Sequence, residues 1–200
     1  VKPPPTPATE PGGVQVTLSG LRFSGHTVFS TEALLAVTGD VAGQRFDLAG
    51  LRGLADAVSA HYRAQGYPFA RALLPAQALR DGVLHMEIVE GRYGQVRALA
   101  DDPALAQRAQ AWLNRLQPGA VIDSATLERA TFLMNDLPGM QVSPLIRPGH
   151  ATGTGDLEVR LQRGPLVTGQ AGLDNAGNRY TGQHRATLDL DLNSPLLLGD

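Results

Sequence analysis

From Val14 onward the chain takes on a clear alternation of apolar and polar positions. Val14, Val16 and Leu18, followed by Leu21 and Phe23 after the Ser19-Gly20 step, predict a strand with a bulge at Gly20. Ser30 is placed to cap a short helix reaching Val37, with Glu32 in the first turn, where the helix dipole favours negative charge. Asp47 to Gln65 predicts a longer helix. Leu51, Leu54, Val58 and Tyr62 recur at helical spacing along it, and Gly66 ends it. Tyr67 to Leu74 reads as a second strand. The turn Arg80-Asp81-Gly82 then leads into a third, in which Leu84, Met86 and Ile88 alternate with His85 and Glu87.

The same order recurs from Tyr93. Gln95 to Leu99 predicts a strand, and Asp102-Pro103 a helix start with Pro at the first helical position and an apolar stripe of Leu105, Ala109, Trp112 and Leu116. Asp123-Ser124 opens another helix carrying Leu127, Thr131, Met134 and Leu137, which Pro138-Gly139 ends. Met140 to Ile146 and the run Leu157, Val159, Leu161 form a second hairpin around a loop from Pro148 to Gly155. Asp47 to Gly91 matches Asp123 to Gly164 in order and spacing, so the simplest account is two tandem modules. The expected class is α+β: two β-α-α-β-β domains with small mixed sheets. In each, a right-handed crossover that returns parallel sets the first strand beside the third and leaves the second at an edge. In the first module that edge, Tyr67 to Leu74, would offer unpaired backbone groups to an extended peptide.

The pattern shifts once more at Leu166. After a turn through Asp174-Asn175 and Gly177, Leu188, Leu190 and Leu192 alternate with Thr187, Asp189 and Asp191, giving one apolar and one polar face. That is the dyad pattern of a membrane barrel strand of about ten residues. Alternation alone also fits a half-buried hairpin closing a soluble sandwich. A lone hairpin is marginal in water, and this one has no partner for its outer edges, so the tail reads as the first hairpin of a transmembrane β-barrel and the chain as a fragment. The expected boundaries are 1–13 for a Pro-rich linker in extended polyproline form, 14–92 and 93–165 for the modules, and 166–200 for the hairpin.

Composition narrows the function. Net charge is -2 and Lys2 is the sole lysine, which leaves no basic patch for nucleic acid. Cysteine is absent, excluding disulfides, thiolate zinc sites and cysteine nucleophiles. No apolar run has the length of a membrane helix, and an exported protein starting at Val1 is expected to have shed its signal already.

Several motifs carry a resemblance. Phe23-Ser-Gly25-His-Thr27-Val-Phe29-Ser30, Tyr62-Arg-Ala-Gln-Gly66-Tyr67, Leu74-Pro75-Ala-Gln77, Asp81-Gly82 and Ile88-Val-Glu90-Gly91-Arg92 together resemble the polypeptide-transport-associated (POTRA) domain of haemolysin-activator type. Asn135-Asp-Leu-Pro138-Gly139 and Pro148-Gly149 resemble the second such domain of that family, and Asp174 to Gly182 with Asn193-Ser-Pro195 and Gly199-Asp200 its passage into the barrel. The resemblance implies an outer-membrane transporter of two-partner secretion with these domains in the periplasm. Its partners would be the amino-terminal secretion domain of a large exoprotein and, through the barrel, outer-membrane lipid. It would work without nucleotide hydrolysis and without a cofactor. The alternative is a factor assembling other outer-membrane proteins. The family's later barrel strands and pore loop would lie beyond Asp200, and no residues match the helix that plugs the pore in relatives.

The partner-binding candidates are Tyr67, Phe69, Arg71, Leu73 and Leu74. Phe69, Arg71 and Leu73 share one strand face, and Ala70, Ala72 and Leu74 the other. Arg71→Pro is expected to block strand addition with the fold intact, provided that N–H faces the open edge. Glu90, Gly91 and Arg92 are candidates for an inter-domain joint, Gly91 allowing the turn. Other groups suggest no chemistry. Asp189 and Asp191 lie about 7 Å apart on one strand face with no further ligand nearby in sequence. Gly149, Gly153 and Gly155 do not join a strand to a helix as a phosphate loop must. His26, His61, His85, His150 and His184 have no ligand spacing and read as surface or turn residues, so no catalytic or metal site is expected.

Overall fold

The computed structural model describes residues 15–76, 81–136, 140–175, 177 and 184–193. The Pro-rich segment, Arg80 and the Leu137-Pro138-Gly139 helix end lie outside them. The chain divides into two units. The first reaches Arg92 and takes in Gly119–Ala125 and Ala151–Thr154; the second comprises Tyr93–Pro118, Thr126–His150 and Gly155–Asp200.

The first unit contains β1 (Val16–Thr17), β2 (Gly20–Ser24), α1 (Thr31–Thr38), β3 (Arg45–Phe46), α2 (Leu48–Ala64), β4 (Arg71–Leu73) and β5 (Val83–Val89). Ser30 Oγ accepts from the Ala33 N–H and Asp47 Oδ1 from the Gly50 N–H, so both helices begin at side-chain caps. The sheet order is β2-β5-β4, with β2 parallel and β4 antiparallel to β5. Buried Leu84, Met86 and Ile88 of β5 form one core with Leu51, Ala55, Val58 and Tyr62 of α2 and Leu34 of α1. Leu54 packs at the margin of that core, only partly buried.

Two expectations are corrected here. The opening strand does not bulge at Gly20 but changes partners. β1 pairs antiparallel with β3, while β2 joins the main sheet. Between them Leu18 is buried, donating to Gln44 O and accepting from the Gly43 N–H, and the Ser19 N–H turns to Gly82 O. The second strand is three residues long, not eight. Its first half is a turn off the end of α2, with Tyr67 N–H on Tyr62 O and Ala70 N–H on Tyr67 O, and Pro68 has no N–H to give a ladder.

The second unit holds β6 (Arg92–Leu99, whose first residue belongs to the first unit), α3 (Pro103–Leu113), α4 (Ser124–Asn135), β7 (Met140–Pro148) and β8 (Thr154–Arg163). Its sheet order, β6-β8-β7, repeats the first: the opening strand lies beside the last and the middle one is at an edge. Leu157, Val159 and Leu161 are buried, as are Leu105, Ala109, Leu113 and Met134. Leu113, not Trp112, carries the α3 stripe; it follows Leu105 and Ala109 at steps of four, whereas Trp112 is 43% exposed. β7 is also longer than expected. It runs through Pro144, which stands opposite Val159. A hairpin of β9 (Val167–Asp174) and β10 (Arg185–Leu192) follows, in register from Arg185 opposite Asp174 to Leu192 opposite Val167. Every residue of both strands is exposed.

Candidate functional site

The edge strand β4 separates the sequence candidates into two groups. Phe69 and Leu73 are 42% and 45% exposed and Arg71 is exposed as well, a row of three side chains facing away from the core. Tyr67 and Leu74 instead pack on the core, Tyr67 with its ring edge-on to Phe29 (5.8 Å between centroids) and Tyr62 (6.1 Å). Two apolar members of the row are thus left in water while their neighbours are used for packing.

Which backbone groups the edge offers follows from one hydrogen bond. The Ala72 N–H donates to Ser59 Oγ at 2.9 Å, and that hydroxyl donates in turn to Ala55 O at 2.8 Å. Ala72 therefore points its N–H away from β5. Donors alternate along an antiparallel strand, so Arg71 and Leu73, opposite Val89 and Glu87, point theirs into the sheet. This corrects the expectation for Arg71: its N–H faces the ladder, and the outward donor belongs to Ala72 and is already held by α2. β7 shows the same device, Asn135 Oδ1 of α4 accepting from the Val142 N–H at 3.4 Å. By the same alternation Pro144 and Pro148 occupy outward positions, where a missing N–H costs the ladder nothing.

Glu90 directly follows β5, its side chain fully buried. Its carboxylate accepts from the Thr27 N–H (2.6 Å), the Val28 N–H (2.8 Å), the Thr27 hydroxyl, the Tyr62 hydroxyl (3.1 Å) and Arg92 Nη2 (2.9 Å). Burial alone pushes this carboxyl upward, but the donors from Thr27, Val28 and Tyr62 outweigh it and hold Glu90 below the usual glutamate range. Burial and the neighbouring Glu90 charge push the Tyr62 phenol well above its ordinary value, so it stays a donor. Arg92 also donates to Thr27 Oγ1 (2.7 Å) and Gly119 O (2.9 Å).

Gly91 completes the cluster for a steric reason. Its φ is +71° and a Cβ there would lie 2.5 Å from Phe69 Cβ, so the turn beneath the exposed row needs glycine. Around it, Gly91 O accepts from the Ile122 N–H, the Arg92 N–H donates to Gly153 O, and the Ser124 N–H donates to Gly66 O. Gly91 and Arg92 thus hold Gly119–Ala125 and Ala151–Thr154 in the first unit, with Glu90 fixing the Arg92 side chain.

Sequence reasoning missed Thr27, Ser59 and Asn135. A Ser inside an apolar helical stripe, and an Asn at a helix end before an edge strand, were the available signals. Among the remaining candidates, Gly153 lies in the turn between β7 and β8 with φ +76°. Asp189 and Asp191 face Gln170 and Thr168 across the hairpin. His61 and His85 are half-buried within α2 and β5 instead of in turns, His85 sharing a hydrogen bond with Ser24 Oγ.

Residues 16–91 match the family model described as POTRA domain, ShlB-type. The chain is 31% identical over 198 residues to the outer membrane transporter CdiB of Escherichia coli O6:K15:H31, covering 98% of this chain and 33% of the relative. It is 27% identical over 175 residues to the heme/hemopexin transporter protein HuxB of Haemophilus influenzae, covering 85% of this chain and 30% of that one. The solved structure of CdiB from Escherichia coli superposes with a TM-score of 0.74 at 29% identity, over 98% of this chain and 36% of that one. The chain therefore spans about a third of the length of the curated relatives it matches. The first module thus carries the match to a POTRA domain of the ShlB type, in a chain similar over most of its length to the CdiB and HuxB transporters.

Proposed function

We propose that this chain is the periplasmic part, with the first barrel hairpin, of an outer-membrane transporter that recognises the amino-terminal secretion domain of one partner exoprotein. It delivers that chain to the barrel for translocation without nucleotide hydrolysis. The observation that supports this reading is the row of Phe69, Arg71 and Leu73, two exposed apolar groups and a cation on an edge strand and the turn that leads into it, beside α2. Such a row suits an extended segment, with alternate side chains giving selectivity. Main-chain pairing along this edge requires Ser59 to release the Ala72 N–H. Glu90, Gly91 and Arg92 serve as the inter-domain joint, and the apolar face of β10, with Leu188, Leu190 and Leu192 each 65–69% exposed, meets lipid. The domain limits are those read from the sequence: linker 1–13, modules 14–92 and 93–165, hairpin 166–200.

The test pairs the chain with the amino-terminal domain of the secreted protein encoded beside it. Phe69→Asp with Leu73→Asp, both at exposed positions, should abolish capture and secretion while circular dichroism stays unchanged. Full capture by that variant would remove the row from the recognition surface. Capture of unfolded outer-membrane proteins in place of the exoprotein would favour an assembly factor.

A further inference from the structure

The second unit carries a cleft that the edge strand does not account for. It lies between α3 and α4, encloses about 470 Å³, and is lined by Trp112, Arg115, Leu116, Arg129, Ala130 and Leu133 among others. That volume is within the range of sites that take a drug-sized ligand or an inserted side-chain cluster. Leu116 is buried, whereas Trp112 and Leu133 remain 43% and 45% exposed. Both helices spend their other faces on the core through Leu105, Ala109, Leu113, Thr131 and Met134, so the exposure is not a failure of packing.

The charge at this cleft has one sign. Arg115 and Arg129 line it and no Asp or Glu does. Ion pairs among the described residues engage Arg92, Arg147, Arg163 and Arg185, leaving the two cleft arginines without one. A guanidinium matches a carboxylate in fork geometry, and an indole offers a broad apolar wall with one donor at its edge. We infer that the α3–α4 cleft is a second peptide-binding site, whose ligand is an amphipathic segment with aliphatic anchors flanked by carboxylates. The concavity selects an inserted chain over a flat surface, and the paired arginines select acids beside the anchors. The inference stands apart from the first module's edge and does not depend on the reading proposed for it.

Trp112 is the chain's sole tryptophan, so its emission reports occupancy directly. The 200-residue chain is titrated with a capped 12-residue peptide of Leu and Glu at helical spacing, with its Leu and Lys counterpart, and with phosphatidylglycerol vesicles. A saturable blue shift with the Leu/Glu peptide only is expected. The exposed double variant Arg115→Glu, Arg129→Glu should weaken that peptide about tenfold or more and admit the Leu/Lys one, from the usual strength of charge-assisted hydrogen bonds. Ala130→Leu should weaken both by filling the cleft with charge untouched. No shift with the Leu/Glu peptide, an equal response to both peptides, or a response to vesicles alone would each overturn the assignment.

Discussion

Removing the Glu90 carboxylate should unfold the first module more readily than removing any other single charge in it. In Glu90→Ala the N–H groups of Thr27 and Val28 and the hydroxyl of Tyr62 lose their acceptor, and Tyr62 is fully buried. Each orphaned buried donor costs about 1–3 kcal/mol, and entry of water into the vacated space offsets part of the sum. The expected loss is about 3–5 kcal/mol, the range seen on breaking a buried pair from one side. Arg92→Ala removes the other half of the ion pair but should cost only about 1–2 kcal/mol. Its side chain is 36% exposed, and Glu90 keeps its four remaining donors. Glu90→Gln falls between, since one oxygen still accepts from the backbone while the new amide faces Thr27 Oγ1 and Arg92. Trp112 belongs to the second unit, so the assay is hydrogen exchange over Val83–Val89 during urea unfolding at constant slope. Equal losses for Glu90→Ala and Arg92→Ala would show that the ion pair, not the caged backbone, holds the loop, and would refute the reasoning.

Because Glu90 is held below the usual carboxylate range, the unfolded state binds its proton first as pH falls. Its contribution should be intact at neutral pH and fade only below about pH 4.5. A comparison of wild type and Glu90→Gln by urea melts from pH 7 to 3 should see the two converge in that acid window, not between pH 5 and 7. Gly91→Ala should cost about 2 kcal/mol or more by thermal melting, since the new methyl meets Phe69 and φ is +71°. Arg71→Pro should cost about 3 kcal/mol by removing a donor from the β4–β5 ladder, so lost secretion in that variant would accompany lost folding. Ser59→Ala should cost only about 1 kcal/mol yet speed amide exchange at Ala72, and if cargo adds as a strand it should bind the variant several-fold tighter; slow exchange at Ala72 in the variant would contradict the assigned direction of that N–H.

Periodicity carried the helices and the central strand because both bury a continuous apolar stripe. Leu51, Val58 and Tyr62 recur at helical spacing, and Leu84, Met86 and Ile88 alternate as a half-buried strand must. The exposed pair Arg71 and Leu73 was legible for the same reason, alternation placing both on one side, while Phe69 is exposed from the turn before β4. Strand ends were less legible. Where β4 begins is decided by how the chain leaves α2, a matter of Pro68 and two backbone bonds to Tyr62 and Tyr67. The break at Leu18 depends on Gln44 and Gly43, distant in sequence and without a pattern of their own. Trp112 was misplaced because hydrophobicity and position both suited the core; only the one-residue difference from Leu113 decides which is turned inward.

Polar contacts across the fold were the least legible, and they decide what the edge can do. A strand's pattern tells which face each side chain takes but nothing about which N–H points outward, since both parities have the same hydrophobic alternation. Ser59 resolves that parity for β4 by holding the Ala72 N–H, and Asn135 does so for β7 by holding the Val142 N–H. From there the modules diverge. β7 places Pro144 and Pro148 at two further outward positions, so an approaching strand finds a donor missing on either side of Ile146. β4 has no proline among its three residues, and its one outward donor is held by a hydroxyl that keeps its own bond to Ala55 O when it lets go. Release at β4 thus leaves Ser59 satisfied as a donor, while at β7 release of Val142 still leaves Pro144 beside it without a donor. The same order of elements has therefore produced one edge whose outward donor is held by a hydroxyl and one interrupted by proline, the difference on which the proposed docking of an extended partner at the first module rests.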